Sequence, residues 1–97
     1  MKWIEIIELR SAGNTRKQLE AHLQEFIEQV EKKKEKLTVK LYIRMIIDTD
    51  VSIHLFHDSN KVKNRGSPLG IRLVSALKSY GLANHTIWIE KQKDSFT

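Results

Sequence analysis

The 97-residue chain contains no cysteine. Disulfides, thiolate catalysis and cysteine-based zinc sites are therefore excluded, and the composition fits a reducing compartment. No apolar run approaches the roughly 20 residues that a membrane-spanning helix needs. Residues 1–12 hold Glu5 and Glu8 within their apolar run and lack a cleavage-type end, so no signal peptide is expected. A soluble, cytoplasmic protein is the expectation. Two nucleotide signatures are also missing: GSPLG at 66–70 lacks the Gly-Lys-Ser/Thr ending of a P-loop, and there is no Rossmann fingerprint. Nothing resembles a Ser/His/Asp triad, and no repeat or low-complexity segment occurs.

What is present is a modest excess of positive charge. Seventeen Lys and Arg against twelve Asp and Glu give a net charge of +5. That balance permits nucleic acid, anionic metabolites or a membrane surface as partners, and equally an ordinary basic surface. The length suits one domain, 1–97, with a thin core that oligomerisation would help.

The pattern of residues predicts six elements. Residues 2–9 (KWIEIIEL) read as a strand ending before Ser11-Ala12-Gly13. Residues 15–34 read as a helix, with Leu19, Leu23, Phe26, Ile27 and Val30 on one stripe; Asn14 or Thr15 can cap it, and Thr15 with Gln18 forms a capping box. It ends in the solvated charge run 31–36. Residues 37–47 and 51–57 read as an antiparallel hairpin around Asp48-Thr49-Asp50. After a polar loop at 58–66, Ser67 caps a second helix with Pro68 in its first turn. Leu69, Leu73, Val74 and Leu77 form its stripe, and Gly81 occupies the position of a C′ glycine. Residues 85–91 read as the last strand. The order βαββαβ is solved most simply by a ferredoxin-like α+β sandwich: strands ordered 4-1-3-2 with both helices on one face.

Alternation then divides the sheet. Ile4 and Ile6, Leu37, Val39, Leu41 and Ile43, Val51, Ile53 and Leu55, and Ile87 and Ile89 are assigned to the helix side. Trp3, Glu5, Tyr42, Arg44, Ser52, His54, Phe56, Trp88 and Glu90 are assigned to the other. Pairing Ile47 with Val51 sets Arg44 opposite His54 and Tyr42 opposite Phe56. Glu5, His54 and Arg44 then form a polar strip framed by Trp3, Tyr42, Phe56 and Trp88. A carboxylate and an imidazole in such a place can serve acid–base chemistry, and a guanidinium can hold an anion. The same groups can equally order a dimer interface, whose centre also favours aromatics and Arg.

Two further sites come from topology. The edge where the first two strands begin and the last two end collects Lys2, Lys32, Lys33, Lys34, Lys36, Lys61, Lys63, Arg65, Lys91 and Lys93. With the helix start at Ser67, this suggests an anion site at Arg65-Gly66-Ser67, or only a solvated rim. The histidines give no metal spacing: His54 and His57 point to opposite faces, His22 borders a helix stripe and His85 precedes a strand. No metal and no cofactor is implied. An RNA-binding reading meets a strand, VSIHLFH, without the basic-Gly-aromatic pattern of an RNA recognition motif.

Over residues 2–91 the layout resembles the dimeric α/β-barrel group that includes the antibiotic-biosynthesis monooxygenases and related stress-responsive barrel proteins. The segment 66–90, GSPLGIRLVSALKSYGLANHTIWIE, resembles a family-type signature that carries no activity with it. The resemblance implies two sheets packed face to face in a homodimer with a ligand cavity; it supplies no catalytic motif. The leading expectation is a homodimer that binds a small molecule at the sheet face, extending to a cofactor-free, monooxygenase-like enzyme. The alternatives are a non-catalytic dimerisation module and nucleic-acid binding through the basic edge.

Overall fold

The computed structural model describes residues 2–11, 13–14, 16–33, 37–47 and 49–91. Along the chain run β1 (Lys2–Ser11), α1 (Arg16–Lys32), β2 (Leu37–Ile43), β3 (Asp50–Asp58), α2 (Pro68–Leu77) and β4 (Gly81–Ile89). The four strands form one antiparallel sheet in the order β2-β3-β1-β4, and the fold is ferredoxin-like α+β. Thr15 of the expected cap, Lys34 and Lys36 of the charge run, Asp48 of the expected turn and Lys93 lie outside the described residues. No described helix is long and apolar enough to cross a membrane.

Helix α1 is held by its stripe. Leu19, Leu23, Phe26 and Val30, at spacings of four, three and four, are its buried residues. Each such side chain contributes roughly 1.5–3 kcal/mol when removed from water, far more than propensity differences among surface residues. Helix α2 begins at a complete N-cap. Ser67 has extended backbone (φ −67°, ψ 157°), its hydroxyl accepts the Gly70 N–H at 3.0 Å, and Pro68 occupies the first turn. Both helices pack on one face of the sheet, where Ile7, Leu9, Val51, Ile53 and Leu55 meet the α1 stripe, Leu73 and Leu77.

Two expectations are corrected. The first concerns β1. Its register pairs Trp3 with His57, Glu5 with Leu55, Ile7 with Ile53 and Leu9 with Val51. Directly paired residues share a face, so Trp3, Glu5, Ile7 and Leu9 lie under the helices and are buried, while Ile4 and Ile6 turn to the open side. Both parities of this strand are apolar, so alternation alone does not choose between them; a shift of one residue exchanges the faces completely.

The second concerns the hairpin. β2 stops at Ile43, which pairs with Val51, so Tyr42 faces Ser52, Lys40 faces His54 and Thr38 faces Phe56. Residues 44–47 and 49 form a loop instead of more strand. It is closed by the Arg44 N–H to the Asp50 carbonyl (3.0 Å) and the Asp50 N–H to the Ile47 carbonyl (3.1 Å). The Arg44 guanidinium also reaches the Asp50 carboxylate at 3.1 Å. The loop tip carries Met45 and Ile46, 87% and 95% exposed, and Ile46 has φ +74°. Its hydrophobicity is that of a strand; its conformation is that of a turn.

Candidate functional site

Moving Glu5 beneath the helices creates a site that spacing does not announce. Its side chain is fully buried, directly under the start of α2. Oε1 accepts the Ser67 N–H and His85 Nε2–H, each at 2.9 Å. Oε2 accepts the Ser67 hydroxyl at 2.6 Å and His57 Nε2–H at 2.5 Å. A carboxylate has no hydrogen to give, so both imidazoles must donate through Nε2. The four donors match the four acceptor positions of an ionised carboxylate, with the positive end of the α2 dipole beside it.

Three strands, the α2 N-cap and two glycines build this arrangement. β1 supplies Glu5, while β3 and β4 flank it and supply His57 and His85. The N-cap supplies Ser67. A Cβ on Gly70 would lie 2.1 Å from Glu5 Oε1, and one on Gly66 (φ +97°) would lie 2.3 Å from the His85 ring. Both glycines are thus places where the backbone of the 66–70 segment closes on the carboxylate. The anion expected at Arg65-Gly66-Ser67 is in this sense already present: Glu5 takes both the Ser67 N–H and its hydroxyl. Arg65 is exposed and takes no part in the cluster.

His57 opens this cluster to solvent. Its ring stacks on Trp3 with centroids 4.0 Å apart and an interplanar angle of 14°. Trp3 is in turn fixed by its indole N–H to Ser59 Oγ at 3.0 Å. Both residues line a cleft of about 660 Å³ between α1 and α2, at the end of the sheet where β1 and β2 begin. Phe26, Val30, Leu69 and Leu73 give it apolar walls, and Lys33, Lys61, Lys63 and Arg72 stand around it. No described group bonds Nδ1 of His57. His22, expected only to border the α1 stripe, also lines this cleft and makes a 3.1 Å hydrogen bond to the Tyr80 hydroxyl.

The residues expected to form one surface are therefore divided. Trp3 and Glu5 belong to the helix side; Tyr42, His54, Phe56 and Trp88 remain on the open side, and Arg44 lies in the loop beyond β2. The strip Glu5–His54–Arg44 does not exist: Glu5 is across the sheet from His54, and Arg44 is committed to Asp50. On the open side His54 and Ser52 are hydrogen-bonded at 2.9 Å, and the His54 ring leans on Tyr42 and Phe56. Lys40 sits 5.4 Å above the Phe56 ring, within cation–π range. Burial holds the His54 pKa below its ordinary 6.5, partly offset by the nearby Glu8 carboxylate. Trp88 pairs with Ile4 across the β1–β4 ladder and Ile4 with Phe56 across β1–β3, giving an apolar row; Trp88 is 56% exposed.

Among the described residues no group of three or more His, Cys, Asp or Glu side chains is disposed to hold a metal ion. Around Glu5 the two imidazole Nε2 atoms are spent on the carboxylate itself, which is the arrangement of a hydrogen-bonded cluster. No family model, curated protein or solved structure matches the chain.

Proposed function

We propose that the protein binds a small organic molecule in the cleft between α1 and α2, and that His57 exchanges a proton with it. This relocates the ligand expected at the sheet face to the helix side. One observation carries the reading: His57 lines the cleft, is tied through Nε2 to a buried carboxylate and has Nδ1 without a described partner. A carboxylate behind an imidazole selects the tautomer and orients the ring, leaving the second nitrogen as the working base or acid. The cleft volume falls within the range of small-molecule sites, and its apolar walls with few polar groups fit their usual make-up.

The test is a thermal-shift screen of small organic acids, amines and neutral compounds, followed by calorimetry of any binder in two buffers of different ionisation enthalpy. A binder lost in Leu69→Trp and retained in Trp88→Ala is expected, with proton exchange on binding that His57→Gln removes. A binder lost in Trp88→Ala and indifferent to Leu69→Trp would return the site to the open face and refute the proposal.

A second reading rests on the open face. Tyr42, Leu82 and Trp88 are exposed there beside Ile4 and Phe56, an apolar surface of the kind that soluble proteins cover. We infer that a second copy covers it, as in the dimeric α/β barrels that the layout resembles. Sedimentation velocity should show a dimer at micromolar concentration that Phe56→Lys with Trp88→Lys converts to monomer. A monomeric wild-type protein at tens of micromolar removes this reading.

A further inference from the structure

Resting on the cleft as the binding site, we propose that its ligand is an organic anion with an apolar body. The inner surface is apolar on both helical walls and at the start of β2: Phe26 and Val30 from α1, Leu69, Leu73 and Ala76 from α2, and Leu37. Such a surface favours hydrocarbon or aromatic rings over a small inorganic ion. The charged groups come from three different segments and converge on the same space. Lys33 follows α1, Lys61 and Lys63 belong to the loop after β3, and Arg72 stands on α2. Glu25 and Asp58 are the acidic residues of the lining, so four cations against two carboxylates leave a surplus of two positive charges.

None of those four cationic groups has an ion-pair partner among the described residues, whereas Asp58 is engaged and Arg16, Arg44 and His57 are all paired. Cations facing one cleft in excess of its carboxylates repel one another and raise the local positive potential. A bound anion relieves that repulsion. At the start of α2 Glu5 already takes the Ser67 N–H, Ser67 Oγ takes the Gly70 N–H, and Pro68 has none. The anionic group is therefore assigned to side chains at the cleft mouth, with Arg72 able to grip a carboxylate, sulfonate or phosphate through two parallel hydrogen bonds. The apolar part then lies against the apolar walls. A cationic ligand of the same shape is disfavoured on the same argument.

Two fluorescent probes separate the charge from the shape. 1-Anilinonaphthalene-8-sulfonate is anionic; N-phenyl-1-naphthylamine has the same rings without the sulfonate. With the wild-type chain, the anionic probe is expected to bind about tenfold or more tightly, the size of one charge-assisted hydrogen bond. Lys61→Glu with Arg72→Glu should remove that preference and leave the neutral probe within about twofold. Leu69→Trp, and Gln29→Trp as a surface substitution that does not disturb the core, should weaken both probes, while Trp88→Ala weakens neither. Equal binding of the two probes, both blocked by Leu69→Trp or Gln29→Trp, would overturn the anionic class and leave the cleft standing. An anionic preference that survives the double charge reversal would overturn the assigned groups. Binding that responds to Trp88→Ala and not to the cleft substitutions would overturn the cleft and this inference with it.

Discussion

Glu5 is the residue whose replacement most directly tests the structure. In Glu5→Leu four donors lose their acceptor: the Ser67 N–H, the Ser67 hydroxyl and two imidazole N–H groups. A buried donor left unsatisfied costs roughly 1–3 kcal/mol, so the gross loss is roughly 4–12 kcal/mol. Part of it is recoverable. Both imidazoles retain some exposure through which water can reach them. The backbone N–H cannot turn away. A net loss of about 3 kcal/mol remains, against the total of roughly 5–15 kcal/mol usual for a domain. It corresponds to a fall in Tm of roughly 12–24 °C. Glu5→Gln should cost about 1 kcal/mol, because its oxygen still serves Ser67 N–H and His85 while its amide can donate to the Ser67 hydroxyl and to a re-tautomerised His57.

Urea unfolding followed by tryptophan fluorescence measures both, provided the m-value is unchanged. The triple variant Glu5→Leu, His57→Phe, His85→Leu is the control. Removing one partner of a buried polar cluster strands the others, whereas replacing the whole cluster by apolar groups need not destabilise. The triple variant is therefore expected to be more stable than Glu5→Leu alone. If Glu5→Leu matches or exceeds wild-type stability, the reasoning fails: the carboxylate is then a net cost, and holding His57 is its only remaining role.

Other substitutions test separate parts of the account. Gly70→Ala should destabilise, although alanine is about 1 kcal/mol better than glycine inside a helix, because its Cβ would enter the Glu5 carboxylate; in a Glu5→Ala background the same change should stabilise, and a double-mutant cycle in urea reads the sign. Because burial lowers the His54 pKa, the unfolded chain binds more protons than the folded one below pH 6.5; the His54 contribution is complete above 6.5 and is lost as pH falls through the folded value. His54→Gln should flatten that part of the stability profile, and an NMR titration should place the His54 midpoint under 6.5. Ile46→Gly should stabilise by about 1 kcal/mol, since a β-branched residue at φ +74° is strained and its side chain contacts almost nothing; no gain in the urea midpoint would remove the strain argument.

The strand order and the start of α2 were legible because their signals are local. Ser67 and Pro68 specify a helix start on their own, and the βαββαβ order leaves few topologies. The face of β1 was not legible for the opposite reason. Ile4 and Ile6 compete with Trp3, Ile7 and Leu9, and only pairing with Val51, Ile53 and Leu55 decides between them. Glu5 made the true core parity look like a polar surface. Its imidazole partners stand 52 and 80 residues away, so no spacing could reveal them. A signal did exist in Gly66 and Gly70, two glycines flanking a helix start; each marks a close approach, though not what approaches. The hairpin register failed by four residues because Met45, Ile46 and Ile47 continue a strand composition through a turn.

The division of the sheet also changes how the two functional readings relate. When Glu5, His54 and Arg44 are imagined on one surface, ligand and second subunit compete for it. On the two proposed readings they do not. The open face carries Ile4, Phe56 and Trp88 in a row, which suits the broad apolar centre of a protein interface. The cleft is concave, rimmed by charge and reached from the helix side, which suits a small molecule. A dimer formed through the open face leaves both clefts accessible, one per protomer, on its outer surfaces. Assembly and ligand binding should then be separable: Phe56→Lys with Trp88→Lys should abolish the dimer while probe affinity at the cleft stays unchanged. Loss of cleft binding on dissociation would mean that the two faces communicate through β1, the one strand that carries Ile4 to the interface and Glu5 to His57.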